Sequence, residues 1–264
     1  MGARLGQHFL SDPSILGRIA AAAGIRPGDT VLEIGPGRGS LTAHLASRAG
    51  RVVAIEADGR LAAALSRACE GGTVDVLHGD ALRVSWPAAD CICGNIPYRI
   101  TSPLIERALA PPRPRCVVFL IQREVADRLA AGPGSRTYGA LSAGVQLVAK
   151  VERLFGVPRG AFRPAPRVDS AVVRLTPHEP PTCPPGEEAA ARRLIRGAFQ
   201  HRRQQLRRTV SELAGVPRGV VEQMLVAAGA GAASRPEVLS AAQFLALSRA
   251  LWPPRRGPAG APGT

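Results

Sequence analysis

The stretch Thr30-Val31-Leu32-Glu33-Ile34-Gly35-Pro36-Gly37-Arg38-Gly39-Ser40 decides the fold. Its first five residues form a short, β-rich apolar run closed by glycine, which reads as a buried strand rather than a helix. Three glycines at alternate positions then form a turn, and Ser40 is a good residue to start a helix. Glycines at a strand-to-helix turn let a ligand come close to the main chain. A dinucleotide-type turn would place its third glycine three positions after the second, where Ser40 stands. The spacing is instead Gly-x-Gly-x-Gly, with the acid Glu33 two residues before the first glycine.

Outward from this turn, short β-rich runs alternate with amphipathic segments. Strands are predicted at 30–34, 51–56, 73–77, 90–94 and 116–121, and helices near 13–23, 40–48, 59–69 and 101–110. Asp12-Pro13, Ser40, and Thr101 with Pro103 mark helix starts. Such alternation argues for an α/β fold with a mostly parallel sheet covered on both faces. Residues 151–156 and 168–175, joined through a proline-rich turn, read as a closing antiparallel hairpin. Residues 177–186 (PHEPPTCPPG) cannot continue a helix or a central strand and read as a linker. The expected domains are 1–178 and a small all-helical unit at 187–252, followed by a Pro/Gly-rich tail at 253–264 expected to be disordered.

The chain has 264 residues, of which 45% are hydrophobic, enough for an ordinary core. No apolar stretch approaches the ~18 residues of a membrane span, and the first residues lack the apolar region of a secretory leader. A cytoplasmic protein is expected. Cys69, Cys91, Cys93, Cys116 and Cys183 form no metal-ligand spacing and no disulfide framework, so reduced thiols and no metal are expected. Lys plus Arg number 34 against 20 acids, a net charge of +14. Only Lys150 is lysine, a compositional habit that explains Arg over Lys but not the surplus, which points to a polyanionic partner such as nucleic acid.

Chemistry-bearing residues sit at the carboxyl ends of the predicted strands, where open parallel sheets bind ligands. Glu56 closes the second strand, where a carboxylate can accept from two ribose hydroxyls. Asp80 follows the third and can accept from an adenine amino group. Asp90, just before the fourth strand, needs no function. The glycine spacing resembles the donor loop of S-adenosylmethionine-dependent methyltransferases. Asn95-Ile96-Pro97-Tyr98 ends the fourth strand. The exocyclic amine of adenine is a poor nucleophile because its lone pair is delocalised into the ring. Two acceptors aimed at its hydrogens, the Asn95 side-chain oxygen and the Ile96 carbonyl held by Pro97, would free that lone pair. Tyr98 offers a face for stacking.

With these segments on view, the chain resembles the ribosomal RNA adenine dimethyltransferase family, in its small-subunit, kasugamycin-sensitivity branch. The matching segments are LGQHFLSD (5–12), VLEIGPGRGSLT (31–42), IEADGRL (55–61), GDA (79–81), GNIPYRITSPL (94–104), QREVADRLAAGPGSRTYGALS (122–142), FRPAPRVDSAVVRL (162–175) and RPEVLSAAQF (235–244). The resemblance implies a Rossmann-like class I methyltransferase sheet and S-adenosylmethionine as donor. It implies that Gln7, His8 and Leu10 cover the methionine end, that Gly35 and Gly37 lie along the donor, and that Glu56 takes the ribose. Asp80 with Ala81 would meet the adenine, and Asn95 would stand between donor and target. In related amino-methyltransferases a second aromatic completes the base sandwich, and Phe162 is the candidate. Position 8 is His where many bacterial members carry Asn. The implied reaction is dimethylation of two adjacent adenines in the 3′-terminal hairpin of small-subunit (16S) rRNA, by a monomer, during ribosome assembly.

Residues 192–208 hold seven arginines and no acid. On one continuous helix, at about 100° per residue, Arg192, Arg196, Arg203 and Arg207 would fall within roughly 60° and present a cationic stripe to RNA phosphates. Two rival readings share these features. One is a 23S rRNA methyltransferase of the macrolide-resistance type, and the other a non-catalytic RNA-binding assembly or transcription factor on the same fold. Segments 122–142 and 235–244 favour the small-subunit branch. The intact Glu56, Asp80 and Asn95 favour catalysis.

Overall fold

A computed structural model describes residues 8–253. The chain divides into two compact units: one formed by residues up to 130 together with 149–178, the other by 131–148 together with the residues from 179 onward.

The first unit is built on a seven-stranded sheet. Its strands are β2 (Thr30–Ile34), β3 (Arg51–Glu56), β4 (Val74–His78), β5 (Cys91–Asn95), β6 (Cys116–Gln122), β7 (Ala149–Val157) and β9 (Ser170–Pro177), in the order β4-β3-β2-β5-β6-β9-β7. The first five are mutually parallel, and β9 runs antiparallel to both β6 and β7. β1 (Phe9–Leu10) and β8 (Phe162–Arg163) form a separate two-stranded antiparallel ribbon. The predicted strands match to within a residue or two. β5 starts one residue late because Asp90 is used elsewhere: its main chain and carboxylate pair with Thr30, the Thr30 N–H donating to Asp90 Oδ2 at 2.8 Å.

Every residue of β6 from Cys116 to Ile121 is buried, as a central strand covered on both faces requires. On one face, α1 (Pro13–Ala22) and α2 (Ser40–Ala46) bring Leu16, Ile19, Leu41 and Leu45 against Val31, Val52, Val118 and Leu120. α1 starts where Asp12 accepts the N–H groups of Ser14 and Ile15. Also in this unit are α3 (Gly59–Ala68), capped by Asp58, α4 (Thr101–Ala108) and α5 (Arg123–Ala130).

The second unit holds α6 (Ala140–Gln146), α7 (Pro185–Gln200), α8 (Leu206–Ala214), α9 (Arg218–Ala227) and α10 (Ala241–Leu251). Residues 131–148, assigned to the first domain from sequence, pack here instead. Tyr138 is fully buried with its ring edge-on to Phe199, Gly134 N–H donates to the Glu237 carbonyl, and Thr182 Oγ donates to the Leu147 carbonyl. Among the described residues no helix is long and apolar enough to cross a membrane. Of the expected 253–264 tail, all but Pro253 lies outside the described residues.

Candidate active site

The strand order reverses between β2 and β5, and a cavity of about 610 Å³ opens at their carboxyl ends. That volume suits a ligand of nucleoside-plus-amino-acid size. Its lining brings together most of the residues singled out from sequence: His8, Leu10, Gly35, Gly37, Glu56, Asp80, Ala81, Asn95, Ile96, Pro97 and Tyr98. Gln7 lies outside the described residues.

The glycine turn carries positive φ at Gly35 (71°), Gly37 (58°) and Gly39 (83°). Gly37 is doubly constrained, since a Cβ there would stand 2.9 Å from Phe9 Cε1. Phe9 therefore lies against the turn, and the Arg38 guanidinium stacks over the Phe9 ring at 4.8 Å. Glu56 is 5% exposed, and its two oxygens accept from the N–H groups of Gly37 (3.0 Å) and Asp58 (2.9 Å). Each oxygen keeps a lone pair for a ligand hydroxyl.

Glu33 was visible in the sequence only as part of the glycine spacing, yet it lines the cavity at 1% exposure. Its Oε2 is buried without a partner among the described residues. Burial pushes its carboxyl up to about 7, against the lowering effect of the Thr42 hydroxyl beside it and with a smaller push in the same direction from the Glu56 carboxylate.

Across the cavity, Asn95 Nδ2 donates to the His8 carbonyl at 2.9 Å, which leaves the Asn95 oxygen available as an acceptor. Ile96 N–H donates to Leu120, and the Ile96 carbonyl has no main-chain partner among the described residues. Tyr98 is half-buried, with its hydroxyl sharing a hydrogen bond with Ser170 Oγ at 2.8 Å. His8 Nδ1 donates to the Pro164 carbonyl at 2.8 Å, and its ring faces Tyr98 at 6.1 Å and 29°.

Phe162 does not join this group. It is fully buried with Leu10, Val157 and Val172, and its main chain, paired with Leu10, holds the ribbon that carries His8 and Phe9. Phe162 pairs with Leu10, so both side chains lie on the core side of the ribbon, while Phe9, one residue away, lies against the glycine turn; this register is not visible in the local sequence.

The arginine stripe is also altered. α7 ends at Gln200 and α8 starts at Leu206, so no single helix carries Arg192, Arg196, Arg203 and Arg207. Arg192 is mostly buried and paired with Glu188 at 2.8 Å, and Arg207 is paired with Glu222 and Gln205. Arg196 and Arg203 are exposed and carry no ion pair among the described residues.

A parallel sheet with one antiparallel strand near its edge, and an acid-lined cavity at its switch point, together define a class I methyltransferase. The family model for ribosomal RNA adenine dimethylase matches residues 2–251, and the chain belongs to that family. A ribosomal RNA small subunit methyltransferase A from Gloeobacter violaceus is 45% identical over 260 residues, covering 94% of this chain and 92% of the relative. The crystal structure of a dimethyladenosine transferase from Plasmodium falciparum superimposes with a TM-score of 0.81 at 32% identity, covering 91% of this chain and 96% of the other. That of the 23S rRNA methyltransferase ErmE gives 0.75 at 30% identity, covering 92% and 99%.

Proposed function

We propose that this chain transfers methyl groups from S-adenosylmethionine to N6 of two adjacent adenines in the 3′-terminal hairpin of small-subunit (16S) rRNA during ribosome assembly. The observation that carries this reading is a single cavity with two chemically different walls. One wall holds the buried carboxylates Glu33 and Glu56 with Asp80. The other is the Asn95-Ile96-Pro97-Tyr98 turn.

On the first wall, the remaining lone pairs of Glu56 accept ribose hydroxyls, and Glu33 receives the donor's ammonium. Asp80 and the Ala81 N–H, which has no partner among the described residues, form an acceptor–donor pair matching the adenine amino group and ring nitrogen. His8 and Leu10, with Gln7 by family resemblance, cover the methionine end. On the second wall, the Asn95 oxygen and the Ile96 carbonyl accept the two hydrogens of the target amine, while the Tyr98 ring supports the base. The donor supplies a methyl on an already activated sulfonium, so the chain's task is positioning for in-line transfer. The proton released from the amine passes to water.

Exposed arginines of the helical unit, Arg196 and Arg203 foremost, bind RNA phosphate. The reading assigns the enzyme to the cytoplasm, as a monomer working on assembling subunits. Choice of the small subunit is supported by curated relatives named for it at about 40% identity over most of the chain. The comparable fold of a 23S rRNA methyltransferase makes the large subunit the second reading. Purified subunits from cells lacking both modifications test the choice. Labelled methyl groups are expected in small subunits, with primer-extension stops at two adjacent adenines. Stops confined to large-subunit rRNA would transfer the assignment to the second reading.

A further inference from the structure

The turn that carries Asp80 and Ala81 is held by a residue outside the cavity. This turn follows β4 and folds back tightly. Asp80 Oδ1 accepts from Leu82 N–H at 2.9 Å, and the Asp80 carbonyl accepts from Arg83 and Val84. Gly79 permits the fold-back, since a Cβ there would stand 2.4 Å from Val84 Cγ1.

Arg107, near the end of α4, spans the turn from behind. One guanidinium nitrogen donates to the Ala81 carbonyl at 2.8 Å, and the other donates to the Val84 carbonyl. The same guanidinium stacks on Trp86 at 4.6 Å, and Trp86 Nε1 donates to the Ala81 carbonyl at 2.9 Å. Both lone pairs of that carbonyl are thus occupied, which fixes the plane of the peptide that follows Ala81 and braces a residue that lines the cavity.

We propose that Arg107, with Trp86, is a positioning residue for the donor's purine. It locks the Asp80–Val84 turn in the conformation that reads adenine through one acceptor and one donor, and so sets the preference for adenine over other purines. A planar fork that bridges two carbonyls while stacking on an indole is a task for Arg, not Lys. α4 begins three residues after Tyr98, beyond a single 3-10 turn at Tyr98–Ile100, so one short helix follows the target-base turn at its start and braces the purine turn at its finish. The proposal rests on the donor-site reading above.

Hypoxanthine presents a carbonyl and a ring N–H where adenine presents an amine and a bare ring nitrogen. It therefore inverts the pattern that Asp80 and Ala81 match. The test is calorimetric binding of S-adenosylhomocysteine and of S-inosylhomocysteine to wild type, Arg107→Gln, Arg107→Lys and Trp86→Phe, with Asp80→Ala and Glu56→Ala as references. Arg107→Gln is expected to weaken S-adenosylhomocysteine about tenfold. It should also shrink the adenine/hypoxanthine ratio, with Arg107→Lys intermediate. KM for the donor should rise while kcat at saturating donor holds. Trp86→Phe keeps the ring and removes one hydrogen bond, so it should produce a smaller loss in the same ratio even if Arg107→Gln fails to fold.

An unchanged ratio in folded Arg107→Lys and Trp86→Phe, with Asp80→Ala impaired, overturns the proposal and leaves the donor site standing. A fall in kcat equal to the fall in kcat/KM overturns it too. Unchanged binding in Asp80→Ala and Glu56→Ala removes the donor site itself, and the proposal with it.

Discussion

Glu33 concentrates the electrostatics of the site in one carboxyl. Its folded pKa of about 7 lies above the ordinary 4.5 chiefly through loss of solvent. An acid raised in the folded state contributes stability that is complete below pH 4.5 and is lost as pH climbs through about 7. Glu33→Gln cannot ionise and escapes this loss. It is expected to match wild type near pH 4.5 and to exceed it above pH 7, by roughly 3 kcal/mol for a shift of this size. Denaturant unfolding at pH 4.5, 6 and 8 reads this directly, and a variant less stable than wild type at pH 8 would contradict it. A ligand ammonium favours the ionised form, so donor affinity of wild type should rise between pH 5 and 7.5 and stay flat in Glu33→Gln. Sequence reading singled out Glu56, Asp80 and Asn95, which line one cavity, because each closes or follows a strand of a parallel sheet. Glu33 lies within a strand between the apolar Leu32 and Ile34, and its place in the site depends on what the fold encloses.

Elements were legible where burial imposes a period. The central strands are apolar runs because both faces are covered, and the sequence marked them closely. α5 (REVADRLA) buries only Ala126 and Leu129 and is laced with ion pairs such as Arg128–Glu124 at 3.1 Å, so it sends no clear apolar signal. α6 buries small residues that carry little pattern, and the β1–β8 ribbon is too short to have any. The arginine stripe failed for the opposite reason: an angular period was extended through 201–205, where no helix exists. The break sorts the four arginines into two kinds. Arg196→Gln with Arg203→Gln removes exposed cations and should flatten the salt dependence of subunit binding, by about 0.7–0.9 in log–log slope for each phosphate that is no longer neutralised. Arg192→Gln with Arg207→Gln takes guanidinium partners from Glu188 and Glu222. It should leave that slope nearly unchanged and cost about 2 kcal/mol of stability instead. Filter binding across a salt series, paired with thermal melts, separates the two. Equal slopes in both double variants would remove Arg196 and Arg203 from the interface.

At the scale of the whole molecule, the chain leaves the sheet unit after α5, gives α6 and its flanking residues to the helical unit, and returns as β7. A fragment ending at 178 would complete the seven strands but strand the apolar side of 131–148, including Tyr138, Val145 and Leu147, without α7 and α10. Such a fragment is expected to self-associate in analytical ultracentrifugation. Replacing 131–148 by a short Gly/Ser connection should restore a monomer that still binds S-adenosylhomocysteine. A well-behaved monomer from the simple truncation would show that 131–148 needs no helical partner.

The same double crossing fixes an order of events during synthesis. The first piece of the helical unit is synthesised before β7 and β9, and its partner α10 is the last of the described elements to be made. Tyr138 waits about sixty residues of translation for Phe199 of α7, and the segment waits about a hundred for α10, while the sheet closes around the gap they leave in the sequence. Aggregation on the way to the native state should therefore track how quickly the last hundred residues are translated, and silent codons in that stretch become part of the protein's physical chemistry.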